Sequence, residues 1–142
     1  MILNYQEGLK IAESFDVKTS KDCAVVYSVS FLPTKENKEK AYAYVKTHIG
    51  CKTLDDTICG KILCAKGFQC TNDTATAEVK KIWKIASERF IMSASGNITA
   101  FVKGADKRST FYHIEMPKIL ENEKIKTING VNKQNFLKNF QK

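Results

Sequence analysis

Arginine is nearly absent from this chain, although the chain is strongly basic. Arg89 and Arg108 are the only arginines among 23 basic residues, and the net charge is +8. The lysines are scattered from Lys10 to Lys142 and form no clustered stripe. Recognition of nucleic acids favours arginine forks and clustered basic patches, so this composition favours a solvated lysine surface. A basic nucleic-acid-binding or ribonuclease-type domain is therefore a minor alternative that rests on charge alone.

The chain also lacks a long apolar run and a recognisable leader. No stretch approaches the roughly 18 apolar residues of a membrane span, so we expect no membrane partner. The first residues, Met1–Glu7, have no basic start followed by an apolar core, so no signal peptide is visible. At 142 residues with 43% hydrophobic content, the chain suits one globular domain with a genuine core.

Cysteine is present, but not at the spacing of a zinc site. The five cysteines contain no Cys-x-x-Cys pair, and His48 and His113 stand at unrelated positions, so the sequence predicts no metal site. An odd number of cysteines favours reduced thiols, or an incomplete disulfide set if the protein is exported. The one local disulfide that sequence proximity suggests joins Cys64 to Cys70 and would close a small loop.

Periodicity and turn residues predict both helices and strands, without a linker or repeat. Helices are predicted at 4–15, 34–49, 53–63, 78–93 and from 133, and strands at 23–29, 98–103, 109–114 and 125–128. The expected fold class is α/β. It is a single compact domain over 1–142, with helices of the N-terminal half packed on a small, mostly parallel sheet from the C-terminal half.

Three short segments carry a family resemblance. Thr53–Gly60 reads Thr-Leu-Asp-Asp-Thr-Ile-Cys-Gly, Trp83–Phe90 has the pattern Trp-x-x-x-Ser-x-x-Phe, and Ser109–Glu115 has the pattern Ser-Thr-Phe-x-x-x-Glu. They resemble the ADP-ribosyl cyclase / NAD glycohydrolase family, whose first motif is Thr-Leu-Glu-Asp-Thr-x-x-Gly and whose members cleave the nicotinamide–ribose bond of NAD. The resemblance covers about residues 23–129. It implies one ADP-ribosyl cyclase-like domain with NAD as substrate and no cofactor.

The resemblance implies that Glu115 and Asp55 are the catalytic carboxyl groups. Cleavage passes through an oxocarbenium-like ribose, which needs a carboxylate under the anomeric carbon, and Glu115 matches the residue that supplies it. A strand is predicted to end at Glu115, and ligands usually bind at that edge of an α/β sheet. By residue type alone, a glutamate there is usually solvated. Asp55 replaces the family's glutamate that contacts the nicotinamide amide, which leaves the ratio of hydrolysis to cyclisation open.

Several side chains would bind the substrate if the resemblance holds. Trp83 would stack on the pyridinium ring, and Tyr27 would form the second wall of that pocket. By residue type alone, Trp83 is most often part of the core, and Phe111 is as typical of core packing as of a pocket wall. The implied set is Trp83, Ser87, Ser109, Thr110, Phe111, Tyr27 and Ser28.

The compact length is similar to that of cyclase-like toxin domains of bacterial secreted proteins. That similarity implies an NAD-depleting toxin or effector that is secreted or delivered, acts in the target-cell cytoplasm, and has an immunity protein as a partner. The competing interpretation is a non-catalytic relative that binds NAD or ADP-ribose. Asp55 in place of glutamate and Val29 in place of a phosphate-binding arginine support that interpretation.

Overall fold

The computed structural model describes residues 4–28, 32–68, 76–105, 108–109 and 111–140, and these ranges contain both helices and strands. A 3₁₀ turn at Leu54–Asp56 precedes α3, and a π-helical turn at Phe111–Glu115 leads into α5. No helix in these ranges combines the length and apolar character that a membrane crossing requires. The elements are α1 Tyr5–Ser14, β1 Ala24–Tyr27, α2 Glu36–Thr47, α3 Ile58–Ala65, α4 Ala77–Ser93, β2 Gly96–Phe101, α5 Met116–Glu121, β3 Ile125–Ile128, β4 Val131–Asn132 and α6 Lys133–Phe140.

The sheet is small, with its strands in the order β1-β2-β3-β4. β1 pairs parallel with β2 and β2 pairs parallel with β3, whereas β4 folds back antiparallel on β3. The predicted α/β class with a mostly parallel sheet is therefore confirmed, and the N-terminal half also contributes one strand, β1. The register sets Tyr27 beside Phe101 at the C-terminal ends of β1 and β2.

Helix α4 supplies the centre of the core. Apolar residues recur along it at helical spacing, and Thr76 caps its first turn by accepting the N–H of Val79 at 3.2 Å. Helix α1 packs closely against α4 because Gly8 has no side chain. A Cβ at this position would collide with the side chains of Ile82 and Phe68. The helix predicted at 78–93 is confirmed. Its buried face consists of Val79, Ile82, Trp83, Ala86, Ser87, Phe90 and Ile91.

Asn122 closes the C-terminal end of α4. Its buried amide nitrogen donates hydrogen bonds to the carbonyls of Ile91 at 2.9 Å, Met92 at 3.2 Å and Ala94 at 3.0 Å. The last carbonyls of a helix have no partner within the helix, so a side-chain donor from another element stabilises this end. Asn122 also follows α5 directly, and it therefore joins the ends of α4 and α5.

A buried lysine closes the end of α5 in the same way. The ammonium group of Lys133 donates to the carbonyls of Ile119 at 3.1 Å, Leu120 at 3.3 Å and Asn122 at 2.7 Å. Burial lowers the pKa of Lys133, because the charged form loses hydration. Lys133 begins α6, so this contact fixes the last helix against α5.

The segment before α5 differs from the prediction. The sequence predicts a strand over 109–114, but the structure has the π-helical turn there. The hydroxyl of Ser109 accepts the N–H of Tyr112 at 3.2 Å, and its carbonyl accepts the N–H of His113 at 3.0 Å. Ser109 therefore starts a helical turn, which the β-like composition of the segment concealed.

A further expectation about this segment is wrong for the same reason. Glu115 does not end a strand; it is the last residue of the π-helical turn and immediately precedes α5. Pro117 lies in the first turn of α5. Proline is well tolerated there because its missing N–H has no partner in the first helical turn.

Replacing Asn122 with alanine is expected to lower the free energy of unfolding by about 2–3 kcal/mol, because the carbonyls of Ile91 and Ala94, which are buried, and of Met92, which is partly buried, lose their donor. Urea denaturation of the wild-type and Asn122→Ala proteins measures this loss. Asn135→Ala, on an exposed position of α6, is the matched control and should change stability by less than about 0.5 kcal/mol. Equal losses in the two variants would contradict the capping role.

Candidate active site

The 3₁₀ turn Leu54–Asp56 is held in place by the motif residues around it. The carboxylate of Asp56 accepts the N–H and the hydroxyl of Thr53, at 3.0 and 2.7 Å, which is the capping-box-like arrangement that a threonine followed three residues later by an acidic residue predicts. Thr57 then caps α3: its side-chain oxygen accepts the N–H of Gly60 at 3.1 Å and its hydroxyl donates to the carbonyl of Leu54 at 2.6 Å. The helix predicted at 53–63 is therefore divided into the turn and α3.

Gly60 explains why the turn and α3 pack so closely. A Cβ at this position would overlap the carbonyl oxygen of Leu54 and crowd the Cα of Asp55. Thr53, Asp56, Thr57 and Gly60 thus have local structural roles in the motif. The side chain of Asp55 takes no part in this capping.

Asp55 is bound by two tyrosines from other elements. The hydroxyls of Tyr27, at the end of β1, and Tyr42, on α2, donate to the same Asp55 oxygen, Oδ2, at 2.5 and 3.1 Å. The two rings meet edge to face, with centroids 5.9 Å apart, and the ammonium of Lys38 lies 5.5 Å from the Tyr42 ring centroid. Burial and the adjacent Asp55 charge raise the pKa of both tyrosines, to about 12 for Tyr42. Both phenols therefore stay protonated and act as donors at neutral pH.

Glu115 is a buried carboxyl group, with 7% of the residue exposed. Burial is the main cause that raises its pKa to about 8, and the negative charge of Asp55 adds to the shift. The structure thus brings the two sequence-predicted carboxyl groups within electrostatic reach of each other. Strongly shifted carboxyl groups are typical of catalytic sites, because burial and a like charge both destabilise the ionised form.

Ser28 adds a buried hydroxyl at the end of β1. Its backbone is fixed, since its N–H donates to the carbonyl of Phe101 at 3.1 Å and its carbonyl accepts from the amide of Asn37 at 2.8 Å. The same Asn37 amide donates to the carbonyl of Lys103 at 3.1 Å. The Ser28 hydroxyl itself has no hydrogen-bond partner within the described part of the chain. Buried hydroxyls are normally paired, so this one has the capacity to bind a ligand.

Three further predicted binding residues lie in or against the core. Trp83 is 8% exposed, and its indole N–H donates to the carbonyl of Phe68 at 2.5 Å, so most of its surface serves core packing. Phe111 is fully buried in the same cluster. Ser87 is buried one helical turn after Trp83. Thr110, like Val29, lies outside the described residues.

The described ranges contain free cysteine thiols and no cluster of metal-binding side chains. No group of three or more His, Cys, Asp or Glu residues there could hold a metal ion. Cys23, Cys51, Cys59 and Cys64 carry free thiols. The predicted Cys64–Cys70 disulfide involves Cys70, which falls outside the described residues.

Sequence reasoning missed the contribution of α2 to the site. Tyr42 and Asn37 lie on this helix, and they reach Asp55 and the end of β1, respectively. No local sequence pattern pairs Tyr42 with a carboxylate. Nothing in the sequence distinguishes Asn37 from the other polar residues of α2, and only the fold shows that it is buried.

Comparison with known proteins gives matches only at the level of structure. No protein-family model and no curated protein matches this sequence. The fold is similar to that of Aplysia cyclase complexed with substrate NGD and product cGDPR, with a TM-score of 0.55 and 22% identity over 76% of this chain and 47% of that chain. It is also similar to porcine CD38 complexed with a covalent intermediate, ribo-F-ribose-5′-phosphate, with a TM-score of 0.59 and 20% identity over 87% of this chain and 66% of that chain.

A third similar structure is an ADP ribosyl cyclase complexed with N1-cIDPR, with a TM-score of 0.56 and 18% identity over 87% of this chain and 62% of that chain. This chain therefore spans about half to two thirds of the length of these solved chains. Identities this low establish a shared fold and leave activity to be tested. The resemblance that the motifs predict is confirmed at that level: this chain has the ADP-ribosyl cyclase fold.

Proposed function

We propose that this chain hydrolyses NAD to nicotinamide and ADP-ribose, with some cyclic ADP-ribose as a second product. The observation that carries this proposal is the buried Glu115 carboxyl group within electrostatic reach of Asp55. The fold supports it, because similar structures hold NGD or a covalent intermediate. A role as an NAD-depleting toxin, with delivery to a target cell and an immunity partner, is the finer part of the proposal and rests on the compact length alone.

Glu115 would act on the anomeric carbon of the nicotinamide-bearing ribose. As the bond to the ring nitrogen breaks, its electron pair leaves with nicotinamide and positive charge develops on the ribose. An ionised Glu115 stabilises that charge strongly, because the buried site excludes water and weakens screening. Water then adds to the anomeric carbon and releases a proton. Binding of the cationic nicotinamide ring lowers the pKa of Glu115 and favours the ionised form.

Asp55 would position the nicotinamide. Both tyrosine hydroxyls bind its Oδ2 atom, so we assign the amide N–H of nicotinamide to Oδ1. The two tyrosines hold the short side chain of Asp55 in one orientation. The unpaired Ser28 hydroxyl at the end of β1 supplies a further polar contact for the ligand.

Two alternatives make different predictions. A non-catalytic relative would bind NAD without releasing nicotinamide, so turnover separates it from the glycohydrolase. A nucleic-acid-binding domain would show RNA affinity that falls steeply with salt. Asp55 in place of glutamate favours the first alternative, and only the net charge of +8 favours the second.

Glu115→Gln is expected to reduce nicotinamide release by about 10³-fold or more, because it removes the charge that stabilises the oxocarbenium ion. Chromatographic separation of nicotinamide, ADP-ribose and cyclic ADP-ribose measures the effect. Glu121→Gln, an exposed carboxyl on α5, is the matched control and should keep wild-type activity. No release by folded wild-type protein would favour the non-catalytic alternative, and undiminished release by Glu115→Gln would remove Glu115 from the mechanism.

The same variant should be more stable than the wild type at alkaline pH. The folded protein raises the pKa of Glu115 from 4.5 to about 8, so it holds this proton more tightly than the unfolded chain does. The associated stability is present below about pH 4.5 and is lost as the pH rises through 8. We therefore expect the Tm advantage of Glu115→Gln to be small at pH 5 and to grow up to pH 8–9. Thermal melts across this range measure it, and a constant difference would contradict the buried, shifted carboxyl group.

Asp55→Asn should shift the pH dependence of catalysis. In the wild type, kcat/KM is expected to rise with pH along an acid limb near pH 8, as Glu115 ionises in the free enzyme. Removing the Asp55 charge lowers the pKa of Glu115, so the limb should move to lower pH even if the maximal rate falls. Asp16→Asn, at an exposed position, should leave the limb unchanged. An unmoved limb in Asp55→Asn would show that the two carboxyl groups are not coupled.

A further inference from the structure

Cys23 and Cys51 lie side by side where β1 meets the segment before the 3₁₀ turn. Their sulfur atoms are 2.6 Å apart, and the Cys51 thiol donates to the Cys23 sulfur. The backbone is fixed on both sides of this contact: the N–H of Lys52 donates to the carbonyl of Cys23, and the N–H of Val25 donates to the carbonyl of Lys52, each at 3.0 Å. Ala24 and Lys52 form a parallel bridge next to the two cysteines.

We propose that Cys23 and Cys51 are an oxidation-sensitive pair that forms a reversible disulfide and ties β1 to the segment carrying Asp55. A disulfide of about 2.05 Å requires the two sulfurs to approach by only about half an ångström. The Cys59 thiol has a different partner, because it donates a hydrogen bond to the carbonyl of Ile11 at 3.4 Å. This proposal does not depend on the proposed NAD hydrolysis.

The position of the pair links it to the candidate site. Between the two contacts, Ala24 of β1 forms a single parallel bridge with Lys52, and the 3₁₀ turn that carries Asp55 begins two residues later. A Cys23–Cys51 disulfide lies directly beside this bridge and restricts separation of β1 from the segment. It thereby favours the hydrogen bond between Tyr27 and Asp55.

A small-molecule disulfide such as oxidised glutathione is the oxidant that this pair needs. Cys23 is half-buried and Cys51 is 7% exposed, so the Cys23 thiolate attacks first, forms a mixed disulfide and releases one glutathione thiolate. Burial and the neighbouring Cys23 raise the pKa of Cys51 to about 11, which makes it the later, slower participant. Cys51 then loses its proton and attacks the Cys23 sulfur, and the second glutathione leaves. Two protein thiols are oxidised and one glutathione disulfide is reduced.

Incubation of the full chain with oxidised glutathione, followed by alkylation and tryptic mass mapping, tests the proposal directly. Cleavage after lysine produces peptides 22–35 and 47–52, which contain Cys23 and Cys51, respectively. We expect these peptides to be recovered as one disulfide-linked species that separates on reduction. We also expect the oxidised protein to melt about 10 °C above the reduced protein, because the bond closes a long loop.

Variants distinguish the pair from general thiol oxidation. Cys23→Ser and Cys51→Ser should each abolish the linked peptide and the redox-dependent Tm shift, whereas Cys64→Ser should keep both. Cys23→Ser alters only a half-buried position, so it provides the test if Cys51→Ser does not fold. Separate recovery of alkylated or glutathionylated peptides 22–35 and 47–52 from oxidised wild-type protein would overturn the proposal. A linkage that joins either peptide to a different cysteine would overturn it as well.

Discussion

The burial of helix α4 is the constraint on which most of the structure depends. Helices α1 and α5, the 3₁₀ turn and the π-helical turn all pack against it. Gly8 lets α1 approach closely, and Asn122 satisfies the carbonyls at the end of the helix. Because the turn that bears Glu115 rests on this helix, the position of the carboxyl group follows from core packing and does not rely on a flexible loop.

The elements that the sequence predicted well are those with a single dominant periodicity. Helix α4 repeats apolar residues every three or four positions, and β1 is a short apolar run bounded by polar turns. The segment 109–115 failed because its aromatic and β-branched residues favour a strand, while the Ser109 cap and packing against α4 select a helical turn. Likewise, the division between the 3₁₀ turn and α3 depends on the close contact at Gly60, which no periodicity reports.

The candidate site was predictable only as a set of motif residues. Sequence similarity pointed to Glu115 and Asp55, and the spacing of Thr53 and Asp56 pointed to a capping role for these two residues. The hydrogen bonds confirm this division and add Thr57: Thr53, Asp56 and Thr57 bond within the turn, whereas Asp55 bonds across the fold. The partners Tyr27 and Tyr42 lie 28 and 13 residues away from Asp55 in sequence, so only the folded topology brings them together.

The charge distribution also limits what the site can bind. A buried carboxyl group beside a second acidic group is destabilising in the folded protein, and a bound cation relieves both the burial and the repulsion. The chain as a whole is basic, with a net charge of +8. NAD matches both features, because its pyrophosphate is anionic and its nicotinamide–ribose end is cationic. A nucleic-acid strand offers phosphates to the basic surface but no cation to Glu115 and Asp55, so the paired carboxyl groups support NAD over a polyanion as the ligand.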